Sequence, residues 1–80
     1  MALSKEELAQ LRRFGGNVRR LRVQAELTQA ALAERLGLEL RTVQKFEAGE
    51  INVPTLTLYR LRRALGCRWD ALLDNAKREA

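Results

Sequence analysis

The chain has 80 residues, which is enough for one compact domain and excludes a fold with two separate cores. It carries 15 basic and 10 acidic residues, and the resulting net charge of +5 favours a polyanionic partner without identifying one. One cysteine and no histidine exclude an internal disulfide, leave a zinc site without its usual ligands and, with no glycine-rich phosphate loop, give no set of catalytic groups. We therefore expect neither an enzyme nor a metal or cofactor site.

The first residues predict a cytoplasmic protein that begins with a helix. The start MALSKEELAQ lacks the apolar block of a signal peptide, and no run approaches the ~20 apolar residues of a membrane span. Ser4 and Glu7 form a capping box, so a helix begins there. An apolar stripe then continues through Gly15 and Gly16, each of which costs about 1 kcal/mol relative to alanine inside a helix. The alternatives are one long helix and a short helix followed by a bend, and we favour the nearly continuous helix.

Residues 28–49 predict two short helices joined by a tight turn. Thr28 is a good N-cap, and Gly37 stands where a left-handed residue would end the first helix. The second helix begins near Glu39, whose charge suits the positive end of a helix dipole, and it ends at Gly49. A helix, a glycine-containing turn and a helix are the parts of a helix-turn-helix motif.

The second of these helices has two different sides. At about 100° per residue the side predicted to be buried carries Thr42, Val43, Phe46 and Glu47. The side predicted to face outward carries Leu40, Arg41, Gln44, Lys45 and Ala48. Arginine and lysine donate to guanine, glutamine pairs with adenine, and an apolar group contacts the thymine methyl. The outward side suits base recognition, although the helix taken alone favours a plain solvated face.

The remaining residues predict two further helices. Residues 50–53 form a connector that Pro54 stops, and Thr55 is the expected cap of a helix that ends at Gly66. Arg62 interrupts the apolar side of this helix, so its stem must extend to water or its charge must find an acid. A short fifth helix follows at residues 69–73, and residues 75–80 are expected to fray. Cys67 is expected to be a buried structural thiol.

Two arginine clusters flank the helix-turn-helix. Residues 12–22 contain five arginines and no acid, and a second acid-free cluster is formed by Arg60, Arg62, Arg63 and Arg68. Any one of these side chains is more often structural than phosphate-binding. Their position on both sides of one motif favours DNA, because phosphate contacts supply most of the nonspecific affinity for it.

Residues 14–73 resemble the Cro/lambda-repressor (Xre) family of DNA-binding domains. The matching residues, in order, are Phe14-Gly15, Val18, Leu21-Arg22, Leu27-Thr28-Gln29, Leu32-Ala33, Leu36-Gly37, Val43, Phe46-Glu47, Gly49, Pro54, Leu58, Leu61, Ala64-Leu65-Gly66, Asp70 and Leu72. The resemblance implies an all-α, five-helix, lambda-repressor-like domain over residues 1–80, with residues 4–13 as an N-terminal helical extension. Two residues depart from the family: Glu26 stands where glycine often ends the first helix, and Arg62 where a small apolar residue is usual.

The resemblance also implies a set of functional residues. Base contacts are expected from Glu39, Leu40, Arg41, Gln44 and Lys45. Phosphate contacts are expected from Arg19, Arg20, Thr28, Gln29, Gly49 and Asn52. Arg22 and Glu47 are expected to form an internal ion pair that orients the recognition helix. A glutamate and a leucine are less usual than small polar residues at the first two base-contacting positions, so the preferred DNA sequence stays open.

The expected function is that of a DNA-binding regulator, with repression favoured. Family members commonly dimerise through the C-terminal end, so Trp69, Leu72 and Leu73 are expected at a homodimer interface. A symmetric dimer would place two recognition helices roughly 34 Å apart on a palindromic operator in double-stranded DNA. The alternative is a protein-interaction module, such as an antitoxin or a regulatory subunit, whose partner is a toxin or a polymerase subunit.

Overall fold

The fold consists of five helices in a computed structural model that describes residues 2–73. The helices are α1 (Lys5–Gln24), α2 (Gln29–Leu36), α3 (Leu40–Ala48), α4 (Thr55–Leu65) and α5 (Trp69–Leu73). No strand occurs among the described residues. The predicted all-α, five-helix architecture is confirmed, whereas the prediction for residues 75–80 lies outside the described part. In that part no helix combines the length and the apolar character needed to cross a membrane.

The first helix is continuous through both glycines. Ser4 Oγ accepts a hydrogen bond from Glu7 N at 3.1 Å, and Ser4 N donates to Glu7 Oε1 at 2.9 Å, so the capping box is present. Gly15 is buried, and a Cβ placed on it would lie 2.5 Å from the carbonyl oxygen of Glu47 in α3. Gly16 faces open space. The interior glycine at position 15 is thus required by the close approach of α3.

The hydrophobic core receives side chains from all five helices. Its fully buried members are Val18, Leu32, Val43, Leu61 and Leu72, each with 0% exposure. Their spacing follows from the helical periodicity of the apolar residues, which turns one side of each helix inward. α3 lies against both α1 and α2, so the second helix of the motif is supported from two directions.

Three local predictions are corrected by the structure. Thr55 is not the cap of α4, because Pro54 is at the N-cap position and no side-chain hydrogen bond caps this end. Leu72 is completely buried in its own subunit and therefore has no surface to offer to a second copy. Arg62 pairs with no acid among residues 2–73, and its guanidinium carbon lies instead 5.2 Å from the centre of the Trp69 ring.

The left-handed residue between α1 and α2 is Glu26. Its φ is 60°, and it is the one described residue other than glycine with a positive φ. A side chain in this conformation brings Cβ close to the following carbonyl and costs roughly 1–2 kcal/mol. Glu26 therefore adopts the left-handed conformation that a glycine would adopt at lower cost.

The two adjacent glycines of α1 make a matched test of this packing. Gly15→Ala should lower the free energy of unfolding by about 2 kcal/mol, because the added methyl collides with backbone atoms of α3. Gly16→Ala should raise it by up to ~1 kcal/mol, because alanine is the better helix former and the site is open. Urea unfolding of both variants measures the difference, and equal stabilities would contradict the close contact.

Candidate nucleic-acid interface

α3 presents one continuous exposed side. Val43 is completely buried and Phe46 is 3% exposed, whereas the five residues of the opposite side all face solvent: Leu40, Arg41, Gln44, Lys45 and Ala48. We call these five residues the outer face of α3. Glu39, the residue before the helix, is exposed as well and makes no side-chain cap hydrogen bond. Two cations, an amide and apolar groups are therefore exposed together on one side of a short helix.

The orientation of α3 is fixed by one buried carboxylate. Glu47 Oε2 accepts a hydrogen bond from Arg22 Nε at 2.6 Å, and Glu47 Oε1 accepts from Arg22 Nη2 at 3.1 Å. The side chains of Arg22 and Glu47 are only 12% and 5% exposed, so this forked ion pair is largely removed from water. Arg22 Nη1 also donates to the carbonyl oxygen of Leu27 at 2.9 Å. One guanidinium thus joins α1, the start of the motif and α3.

A second donor reaches the same carboxylate from α2. Gln29 Nε2 donates to Glu47 Oε1 at 2.9 Å, so this amide supports the recognition helix directly. Thr28, the preceding residue, is the N-cap of α2, and its hydroxyl accepts from Ala31 N at 3.0 Å. The two helices of the motif are therefore connected by a polar bridge at the N-terminal end of α2.

The predicted phosphate-binding residues fall into two groups. Arg19, Thr28 and Asn52 are exposed, and Gln29 is partly exposed, so these four have surface to offer to a ligand. The Asn52 side chain also stabilises the connector, because its Oδ1 accepts from Val53 N at 2.9 Å. Gly49, by contrast, is buried, and its N–H donates to the carbonyl oxygen of Phe46 at 3.1 Å. A phosphate contact through that N–H is ruled out by this geometry.

The Arg20 side chain makes hydrogen bonds within the fold. Its Nη1 donates to Asn17 Oδ1 at 3.0 Å and its Nη2 donates to the carbonyl oxygen of Ala71 at 3.2 Å. Asn17 is 3% exposed, and its Nδ2 donates to the carbonyl oxygen of Leu72 at 3.0 Å. The phosphate prediction for Arg20 is therefore wrong, because this side chain holds α5 against α1. The sequence signal for this contact was a polar residue, Asn17, on the inner side of α1. Nothing in the sequence identified the carbonyl groups of α5 as its partners.

α4 and α5 carry exposed aromatic and apolar residues. The rings of Tyr59 and Trp69 meet edge to face, with centroids 5.2 Å apart and planes at 88°. Tyr59 is 50% exposed, Leu56 68% and Leu73 51%. Burial raises the pKa of the neighbouring Cys67 thiol, although the charge of Arg62 opposes the shift. This half-buried thiol is a packing residue. We call the four residues Leu56, Tyr59, Trp69 and Leu73 the α4–α5 surface.

The short turn between α2 and α3, the buried carboxylate behind α3 and its exposed outer face define a helix-turn-helix DNA-binding domain. A family model described as Helix-turn-helix matches residues 18–72, which is more than half of the chain. The chain therefore belongs to the helix-turn-helix family, and it is of the Cro/lambda-repressor (Xre) type.

Two solved structures agree with this assignment. The restriction-modification controller protein C.AhdI from Aeromonas hydrophila is 34% identical and has a TM-score of 0.75, and the match covers 80% of this chain and 97% of that protein. The hypothetical transcription factor NHTF from Neisseria has a TM-score of 0.82 over 99% of this chain and 91% of its own, and at 24% identity it shows the fold alone. No curated protein matches the chain.

Removal of the buried carboxylate should be far more costly than removal of an exposed one. Glu47→Ala leaves the Arg22 charge buried without its partner, and we expect the free energy of unfolding to fall by ~3 kcal/mol or more. Asp70→Ala is the control, because Asp70 pairs with Arg68 on the surface, where solvent screens the interaction. Its stability should stay close to that of the parent protein in urea unfolding. Similar losses in both variants would contradict the central role of Glu47.

Proposed function

We propose that this protein is a sequence-specific double-stranded DNA-binding transcriptional regulator, acting as a homodimeric repressor on a roughly palindromic operator. The observation that carries the proposal is the exposed outer face of α3, held in place by the buried Arg22–Glu47 pair. A base-reading helix must be both accessible and fixed in direction, and α3 meets both requirements. The family and the regulators similar in structure support the same reading.

In this proposal α3 lies in the major groove. Arg41 and Lys45 donate to guanine, and Gln44 makes its two hydrogen bonds to adenine. Leu40 is 43% exposed and is placed to contact a thymine methyl, and Glu39 is placed to accept from cytosine N4. These contacts would specify the sequence, whereas contacts to phosphates would fix the register of the protein on the duplex.

Four of the six residues predicted to contact phosphates are kept in this proposal: Arg19, Thr28, Gln29 and Asn52. Thr28 and Gln29 stand at the N-terminal end of α2, where free N–H groups and the helix dipole favour an anion. Gln29 has a second function at this position, because the amide that would meet the DNA backbone also holds Glu47. A phosphate bound there would therefore be linked through one side chain to the helix that reads bases.

Substitutions on the outer face of α3 test the DNA-reading role. Arg41→Ala and Gln44→Ala should each weaken binding to a duplex selected from random DNA by about 1–3 kcal/mol, with a smaller loss on unrelated duplex. Gln24→Ala removes the same kind of amide from an exposed site at the end of α1 and should leave both affinities unchanged. Dissociation constants measured over a range of salt concentrations should give a steep slope for the parent protein. A flat response would favour a protein partner in place of DNA.

The homodimer is proposed to form through the α4–α5 surface. Leu73 and Tyr59 are each about half exposed, and Trp69, whose ring meets that of Tyr59 edge to face, is partly exposed. Aromatic side chains with one face packed and one face open are typical of the anchors of protein interfaces. The predicted interface thus keeps Trp69 and Leu73, loses Leu72 to the core, and gains Tyr59.

A charge placed on the α4–α5 surface should prevent dimer formation. Leu73→Asp introduces a carboxylate that would lose its water at the interface, so sedimentation should show a shift from dimer to monomer. Val23→Asp is the matched control, because Val23 is an apolar residue of α1 that is 57% exposed. A parent protein that sediments as a monomer, or equal effects of both variants, would reject this interface.

A further inference from the structure

We propose that Arg12, in the N-terminal extension, contacts a DNA phosphate beside the C-terminal end of α3, so that the extension forms part of the DNA-binding surface. This inference rests on the proposed DNA-binding function and adds a residue to it. The extension lies outside the residues matched by the family model, which begin at residue 18. The contact would therefore be a property of this chain and not of the helix-turn-helix core.

The backbone of α1 lies directly on the end of the recognition helix. A Cβ placed on Gly49, the residue after α3, would lie 2.6 Å from Arg12 Cα and 2.9 Å from Arg12 Cγ. One turn further along α1, a Cβ on Gly15 would lie 2.5 Å from the carbonyl oxygen of Glu47. These two glycine contacts place the backbone and Cγ of Arg12 beside the C-terminal end of α3.

The direction of Arg12 follows from its place on α1. At about 100° per residue, Arg12 and Arg19 lie only ~20° apart around the helix axis, between the position of Gly15 and that of Gly16. Gly15 faces α3 and Gly16 faces open space, so both arginines lie along the border between α3 and solvent. Arg13 lies about 100° further around the helix, where it lines a different cleft together with Glu6 and Glu7.

Arg12 is also available to a ligand. Its side chain is exposed, and among residues 2–73 the two ion pairs are Arg22–Glu47 and Arg68–Asp70, so Arg12 has no carboxylate partner there. An arginine beside a helix C-terminus also stabilises the helix dipole, which is the purely structural alternative. The two roles differ in one measurable respect, because only a phosphate contact releases a counterion from DNA and changes the salt dependence of binding.

The test compares two neighbouring arginines. Arg12→Gln and Arg13→Gln remove the same charge, and glutamine retains the Cβ and Cγ that lie near Gly49. The binding of the full-length variants to the selected duplex and to an unrelated duplex is measured over a range of salt concentrations. Arg12→Gln should reduce the steepness of the log–log slope by about 0.9 and weaken binding to both duplexes by a similar factor. Arg12→Lys should restore the slope, and Arg13→Gln should leave it as in the parent protein.

Each other result has a definite meaning. An unchanged slope for Arg12→Gln, with a steep slope for the parent protein, overturns the Arg12 assignment and leaves the proposed function intact. Equal changes in Arg12→Gln and Arg13→Gln overturn it as well, because they would reflect net charge alone. A loss of stability in urea without a change of slope assigns Arg12 to the helix end. No salt-dependent binding by the parent protein would reject the proposed function itself, and the Arg12 contact with it.

Discussion

The fold depends on one carboxylate that is almost completely removed from water. Glu47 receives hydrogen bonds from Arg22 on α1 and from Gln29 on α2, so a single side chain determines how three helices meet. A buried ion pair contributes little to stability compared with apolar packing of the same volume, because desolvation offsets most of the attraction. The main effect of the Arg22–Glu47 pair is on the orientation of α3. The two hydrogen bonds between the Arg22 guanidinium and the Glu47 carboxylate have fixed directions, whereas apolar contacts are non-directional, so the pair constrains the orientation of α3 relative to α1.

Backbone packing supports the same helix at its C-terminal end. α1 approaches the end of α3 so closely that neither Gly15 nor Gly49 has space for a side chain. The recognition helix is thus held by a polar contact on its inner side and by a backbone contact at its end. A helix fixed in this way would lose little conformational freedom on entering a groove, which favours tight and selective binding.

Most predictions that depend on local spacing agree with the structure, although the N-cap of α4 is Pro54 and not Thr55. The capping box at Ser4, the end of α2 at Gly37 and the two sides of α3 follow from residue types at fixed intervals, and the structure has all three. Contacts between distant residues were predicted only where the family resemblance supplied them, as for Arg22 and Glu47. Leu72 and Leu73 are adjacent and chemically identical, yet one is in the core and the other on the surface, because the direction of a short helix is set by its neighbours. Arg20 was misassigned for the same reason.

The attachment of α5 has a consequence for how the molecule opens. α5 is held to the rest of the domain by its contacts with α1. The side chains of Asn17 and Arg20 hold its carbonyl groups from the centre of the longest helix, and Leu72 completes the core. The described residues of α5 should therefore exchange their amide protons together with the central helices. Any surface carried by α5 then exists only while the whole domain is folded, which protects it from local melting.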